Sequence, residues 1–157
     1  MTTKNQIGLD STLATGLIEQ LNVLLANYSI FYQNVRGFHW NIKGEKFFEL
    51  HLKFEELYND IQLKMDEIAE RILTLGGSPE HRYSVYATIA TIKETNEVEN
   101  GVNSVKNILA SFKQIITLQR AVLNLASEAD DEGTNSLMSD YISAQEKLVW
   151  MYTAFIG

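Results

Sequence analysis

Residues 39–77 read HWNIKGEKFFELHLKFEELYNDIQLKMDEIAERILTLGG, and this stretch decides the fold. After a short break at Asn41 to Gly44, apolar residues return at Phe47, Leu50, Phe54, Leu57, Tyr58, Ile61, Met65, Ile68, Ile72 and Leu75. Steps of three and four are the period of an amphipathic helix. Gly76-Gly77-Ser78-Pro79 then stops it, as a glycine followed by proline should.

Working outward, a first run precedes this segment: Leu17, Leu21, Leu24, Leu25, Tyr28, Phe31, Tyr32, Val35 and Phe38 share the period, with Ser11 as the expected N-cap. Residues 80 to 97 are too poor in apolar positions for a full bundle member. They read as a connector with one short helix near Val85 to Ile92, long enough to cross a bundle. A third run spans Val98 to Leu123 and a fourth Leu137 to Phe155, with Thr134 as the expected cap of the last. Four long helices joined by a short, a long and a short link match an all-α, ferritin-like four-helix bundle with one crossover. The chain is expected to be one domain, 1–157, with residues 1–10 as a flexible tail.

Composition narrows the chemistry. The 157 residues include 13 Lys+Arg against 20 Asp+Glu, a net charge of −7, one Pro and no Cys. One proline leaves long stretches free to run as helix. Without cysteine there are no disulfides, thiolate zinc sites, iron–sulfur clusters or cysteine nucleophiles, so any metal must use His and carboxylates. A sequence pI near 4.9 implies repulsion from phosphate backbones. The amino-terminal MTTKNQIGLD carries one Lys offset by one Asp, has no signal-peptide run, and the longest apolar stretch, Leu148 to Tyr152, is far below a membrane span. A cytoplasmic, soluble protein with no membrane partner is expected.

Only three His occur, at 39, 51 and 81. His81 lies in the connector and reads as a surface residue. His39 falls about 20° round from Tyr28 on a helical wheel, and His51, Glu55, Asp66 and Glu70 share an arc of about 100° on the second run. Pairs at four-residue spacing can bind an ion, but solvated helix faces often carry the same spacing. His51 and Asp66 are fifteen residues apart, about 22 Å along a helix, so the two pairs cannot share an ion within one chain. Two copies of this helix packed antiparallel about a two-fold near Asp60 would bring residue 51 of one level with 66 or 70 of the other, forming two equivalent sites. No Glu stands three residues before any His, which argues against the usual intrasubunit di-iron bundle. Imidazole with carboxylate suits Fe, Mn or Zn.

The motifs His39-Trp40-Asn41, Gly44, Phe48, Leu50-His51, Phe54-Glu55, Leu57-Tyr58, Asp66, Ala69-Glu70-Arg71, Leu75-Gly76-Gly77 and Trp150-Met151 resemble the Dps family, the mini-ferritins of starved or oxidatively stressed bacteria. The resemblance covers about residues 11 to 156. It implies a ferroxidase that oxidises Fe(II), preferentially with hydrogen peroxide rather than dioxygen, and stores Fe(III) mineral in a hollow homododecamer. By the same resemblance His39 and His51 are imidazole ligands, Asp66 and Glu70 the carboxylates of the facing subunit, and Glu55 the outer or second-metal position, with at most two irons per intersubunit site. Glu55 departs from the pattern, which more often has Asp. Trp40 matches an aromatic near the site, a local sink for oxidising equivalents or an interface anchor.

Glu128-Ala129-Asp130-Asp131-Glu132-Gly133 reads on its own as a solvated loop with acids favouring a helix N-terminus. The resemblance makes Asp130, Asp131 and Glu132 candidates for the acidic pores that admit iron, because a ring of acids concentrates cations. Two other function classes compete: a DNA-compacting Dps protein, and a structural bundle without ferroxidase activity. Neither MTTKNQIGLD nor Ala154-Phe155-Ile156-Gly157 supplies a basic tail, so DNA binding is expected to be weak or absent, without nucleoid association.

Overall fold

The computed structural model describes residues 3–157. Five helices follow in order: α1 (Ser11–Asn41), α2 (Phe47–Thr74), α3 (Tyr83–Ile89), α4 (Gly101–Glu128) and α5 (Glu132–Ile156). Among the described residues no strand forms, and only two isolated bridges, Lys4 with Asp10 and Lys43 with Asn100, pair extended backbone.

The four long helices appear where the apolar period places them, and that period supplies the core. Leu17, Leu21, Leu24, Phe31, Val35 and Phe38 from α1 meet Phe54, Ile61, Ile68 and Ile72 from α2 and Val105, Ile108, Phe112 and Ile115 from α4, all essentially excluded from water. At about 25 cal/mol per Å² of apolar surface, this burial is the main drive for the bundle. Phe31 and Phe112 meet edge to face at 5.2 Å between centroids, as aromatic quadrupoles prefer.

Helix ends differ from the sequence expectation in instructive ways. Asp10, not Ser11, caps α1: its carboxylate accepts from Thr12 N and Leu13 N, both at 2.9 Å. Asp131, not Thr134, caps α5, and Thr134 N donates to it at 3.0 Å. A carboxylate at the positive end of a helix satisfies two unpaired amides and the dipole together. The short connector helix lies at Tyr83–Ile89 rather than at Val85 to Ile92. α2 ends as expected, with Gly76 at φ 94° and Gly77 N donating back to Ile72 O at 2.9 Å.

Residues 3–10, expected as a tail, fold back on the body. Asn5 Oδ1 accepts from Leu9 N at 2.9 Å, Ser11 N donates to Thr3 O at 2.8 Å, and the Asn5 amide reaches Leu75 O at 3.4 Å. The remainder of that expected tail, residues 1 and 2, lies outside the described residues.

Three asparagines on α1 pin the crossover. Asn22 Oδ1 accepts from Glu80 N at 2.8 Å, Asn27 Oδ1 from Thr91 N and Ile92 N at 3.0 and 2.9 Å, and the Asn34 amide donates to Lys93 O at 2.9 Å. A side-chain amide offers both donor and acceptor, so it can satisfy an irregular backbone that has no ladder of its own.

The middle of the bundle is polar but uncharged. The Tyr28 hydroxyl donates to Gln119 Oε1, the Gln119 amide donates to Gln145 Oε1 at 2.7 Å, and the Gln145 amide donates to the Tyr28 oxygen at 2.6 Å. Three donors and three acceptors close a ring across α1, α4 and α5, all out of contact with water. Burial raises the Tyr28, Tyr141 and Tyr152 phenols above their ordinary range, and at Tyr141 a hydrogen bond donated to Glu67 acts in the same direction.

Tyr28→Phe leaves Gln119 Oε1 and Gln145 Nε2 without their phenol partner and should cost roughly 1–3 kcal/mol, read as a lower urea midpoint. Phenols in the unfolded chain ionise near pH 10 while the folded ones stay protonated. The stability they confer is complete below about pH 10 and drains as pH rises above it, so alkaline unfolding followed by circular dichroism should begin there.

Candidate metal centre

The end of α1 and the start of α2 meet through Phe38 and Phe54, both fully buried and 5.9 Å apart between centroids. That packing brings His39, the residue after Phe38, level with His51, one turn before Phe54. The His39 and His51 rings stack at 3.8 Å with 11° between their planes, Phe47 stacks on the far face of His51 at 4.9 Å, and Tyr58 presents to His39 at 5.3 Å.

Each imidazole is bonded to the other's backbone. His39 Nδ1 lies 2.6 Å from His51 O, and His51 Nδ1 lies 2.7 Å from His39 O. A carbonyl oxygen can only accept, so both Nδ1 atoms carry the proton. In a neutral imidazole that puts the lone pair on Nε2, and the two parallel rings each hold a free Nε2 ligand in a fixed orientation. His39 is 8% exposed and His51 half-buried, so the pair is partly shielded from water yet open on one side.

The carboxylates lie elsewhere. Glu55 stands one turn after His51 and is half-buried, whereas Asp66 and Glu70 are exposed three or more turns further along α2. Among the described residues no three His, Asp or Glu side chains gather closely enough to hold an ion. The chain therefore presents a nitrogen half and an oxygen half at separate positions on one helix face. His81 is exposed in the connector.

The acidic loop is shorter than the sequence implied, because α4 runs through Glu128 and α5 begins at Glu132. Asp130 takes the left-handed turn at φ 56° that ends α4, and it is exposed, as is Glu132. Asp131 is different: 2% exposed, it accepts from Arg71 Nη2 at 2.7 Å and caps α5. Arg71 also donates to Thr134 Oγ1 at 2.9 Å, and it lies close over Gly133, where a Cβ would come within 2.6 Å of Nη2 and push the guanidinium aside. Asp131 is thus a fastener between α2 and the first turn of α5, and of the three pore candidates the two open to solvent are Asp130 and Glu132.

The sequence reading gave no site role to four residues around the His pair: Tyr32, Arg36, Phe47 and Tyr58. The Arg36 guanidinium lies over the Trp40, Tyr32 and Tyr58 rings at 4.7, 5.4 and 5.8 Å. The signal was present as Tyr32, Arg36 and Trp40 at four-residue steps on α1. Trp40 itself is 56% exposed.

Comparison with known proteins places these features in company. A family model described as a ferritin-like domain matches residues 18–157. An uncharacterized protein of Haemophilus influenzae is 51% identical over 151 residues, spanning 96% of this chain and 94% of its own. The DNA protection during starvation protein of Porphyromonas gingivalis is 44% identical over 148 residues, spanning 94% and 93%. The crystal structure of a Dps protein from Vibrio cholerae O1, described as a member of a broad superfamily of ferritin-like diiron-carboxylate proteins, superposes with a TM-score of 0.97 at 52% identity, covering 100% of this chain and 99% of that one.

Asp131→Ala removes a cap and strands a largely buried guanidinium, with an expected loss of roughly 2–4 kcal/mol. Asp130→Asn and Glu132→Gln, both on solvated positions, should leave the melting temperature within a degree or two of the parent, about 0.5 kcal/mol.

Proposed function

The chain belongs to the Dps family of ferritin-like proteins, and from that starting point we propose that it oxidises Fe(II) at sites shared by two-fold-related copies and stores the ferric product inside a hollow dodecamer. The observation that carries this reading is the reciprocal Nδ1–H bonding of His39 and His51, which leaves two oriented Nε2 lone pairs with no third ligand near them in the same chain. A half-site of this kind has a use only if another chain completes it. Asp66 and Glu70 of a two-fold mate have the right chemistry at the right register along the helix, and Glu55 is the proposed outer or second-iron group.

Iron is the substrate here. Two ferrous ions held together can reduce one hydrogen peroxide by two electrons, with two protons taken up and two waters released, which avoids the hydroxyl radical that a lone ferrous ion produces. Hard carboxylate oxygens stabilise the Fe(III) product. Imidazoles with their Nδ1 protons already committed bind without a tautomeric change. Peroxide is the proposed oxidant in preference to dioxygen. Exposed Asp130 and Glu132, repeated around a symmetry axis, would concentrate cations at an iron pore.

The net charge of −7 per chain opposes tight binding to nucleic-acid phosphates, so protection of DNA would come from removing iron and peroxide together rather than from coating the duplex. Among the described residues no helix is long and apolar enough to cross a membrane, and the proposed setting is the bacterial cytoplasm.

The test uses stopped-flow ferric absorbance and peroxide consumption. His51→Ala and Asp66→Ala should each slow Fe(II) oxidation by at least about tenfold. Co-assembly of the two variants is the decisive arm. In a mixed dimer one of the two sites combines both defects while the other combines His51 of one chain with Asp66 of its mate, so part of the activity should return. No recovery in a verified mixed assembly would exclude a shared site.

A further inference from the structure

The outer face of α2 is arranged about the helix's own midpoint. The helix spans Phe47–Thr74, so its centre falls between Asp60 and Ile61. At 1.5 Å per residue, Asn59 and Gln62 lie about 2 Å either side of that centre, Glu55 and Asp66 about 8 Å, His51 and Glu70 about 14 Å, and Phe48 and Leu73 about 19 Å. On a wheel of 100° per residue these eight share an arc of about 100°. His51 and Glu55 are half-buried and the other six are exposed. From the centre outward the pairs are amide with amide, acid with acid, imidazole with acid, and apolar with apolar.

A two-fold axis through the centre, perpendicular to α2, turns this order into contacts between copies. Two antiparallel helices then overlap along their whole length, Glu70 of the partner subunit comes level with His51, and Asp66 of the partner subunit comes level with Glu55. The ligands do not hold this register by themselves. Glu55 and the partner's Asp66 are like charges that repel until a cation lies between them, and apolar contact at Phe48 and Leu73 is non-directional. At the axis each residue faces its own copy, so four neutral amides converge, each with donors and an acceptor. Asn22, Asn27 and Asn34 commit their amides to the crossover, whereas among the described residues Asn59 and Gln62 form no side-chain hydrogen bond within the chain.

We propose that Asn59 and Gln62 are positioning residues that set the register of the shared site by pairing with their own copies across the two-fold axis. The inference rests on the reading that two copies share the site. A slide of four residues in one sense sets Gln62 level with the partner's Leu63, and in the other sets Asn59 level with the partner's Tyr58. Either move takes the amides away from one another. A polar group covered by a partner and left unpaired is costly, which is how one buried asparagine fixes the register of a coiled coil while lowering its stability.

The chain contains no Cys, so Phe48→Cys with Leu73→Cys makes a ruler. On one helix the two positions stand about 37 Å apart, beyond a short bis-maleimide, so a link between them joins two chains. The full-length protein is sized by light scattering with and without the cysteines, treated with the reagent in the absence of metal, and its linked peptides are counted by mass spectrometry. Links from position 48 to position 73 should dominate over links from either position to its own copy. With Asn59→Leu and Gln62→Leu added, the assembly should keep its mass while that link falls roughly threefold, because a slide of one turn moves the thiols by about 5.4 Å. Exchanging the amides, Asn59→Gln with Gln62→Asn, should keep the parent yield. Leu52→Cys with Ala69→Cys, also equidistant from the centre, is a second ruler that leaves Phe48 and Leu73 in place. An oligomer that forms neither ruler's link overturns the register before any amide is changed. A leucine variant with the parent yield overturns it as well, as does one that falls to monomers, since the amides would then add stability rather than choose a register. Loss of the link on exchanging the amides has the same consequence. A parent protein that is itself monomeric overturns the shared site and this proposal together, whereas an oligomer that forms the link without oxidising Fe(II) overturns the ferroxidase reading alone.

Discussion

The reciprocal hydrogen bonds between His39 and His51 are the constraint on which the rest of this molecule turns. The His51 ring satisfies the His39 carbonyl in the last turn of α1, where backbone acceptors have no intrahelical partner, and the His39 ring donates to the His51 carbonyl in the second turn of α2. The same two bonds tie α1 to α2 across a link of only five residues, 42–46, and assign the proton on both imidazoles. Structure and ligand chemistry are therefore set by one interaction. Loss of either ring would remove a bond to a carbonyl as well as a proposed ligand, so effects on folding and on the proposed metal binding would be coupled at these positions.

The polar ring at the centre of the bundle leaves no room there for a carboxylate metal site. A ferritin-like bundle that binds iron within one subunit builds its site from carboxylates projecting inward. Here the corresponding interior is occupied by Tyr28, Gln119 and Gln145, three neutral groups that satisfy one another. Burying carboxylates without a cation costs several kcal/mol each, whereas a closed neutral ring needs no counter-ion. The acids of α2 are left on its exposed and half-exposed faces, at Glu55, Asp66 and Glu70, where another copy can meet them. Arg71 adds rigidity one residue beyond Glu70, because its bonds to Asp131 and Thr134 anchor the end of α2 to the start of α5.

Much of this was legible in the sequence, for a physical reason. Apolar periodicity reports burial directly, so the four long helices and most of the core could be read from residues such as Leu21, Phe54 and Ile108. The spacing of His51 and Asp66 along one helix excluded a joint site in one chain by length alone. Helix caps were less legible. Asp10 and Ser11 are both good caps, as are Asp131 and Thr134, and which one turns out of the helix depends on where the following turn packs.

What the sequence determined, then, is the helical bundle and the supply of hard ligands, because periodicity and composition are properties of the chain itself. What only the tertiary structure decided is the state of those ligands. That Nδ1 of each histidine faces a carbonyl, that Asp131 is consumed by Arg71, and that Arg36 also meets Tyr58 all depend on residues from different helices arriving within a few ångströms. Protonation, pairing and redox character follow from distance in space, and a linear pattern carries that distance only within a single helix.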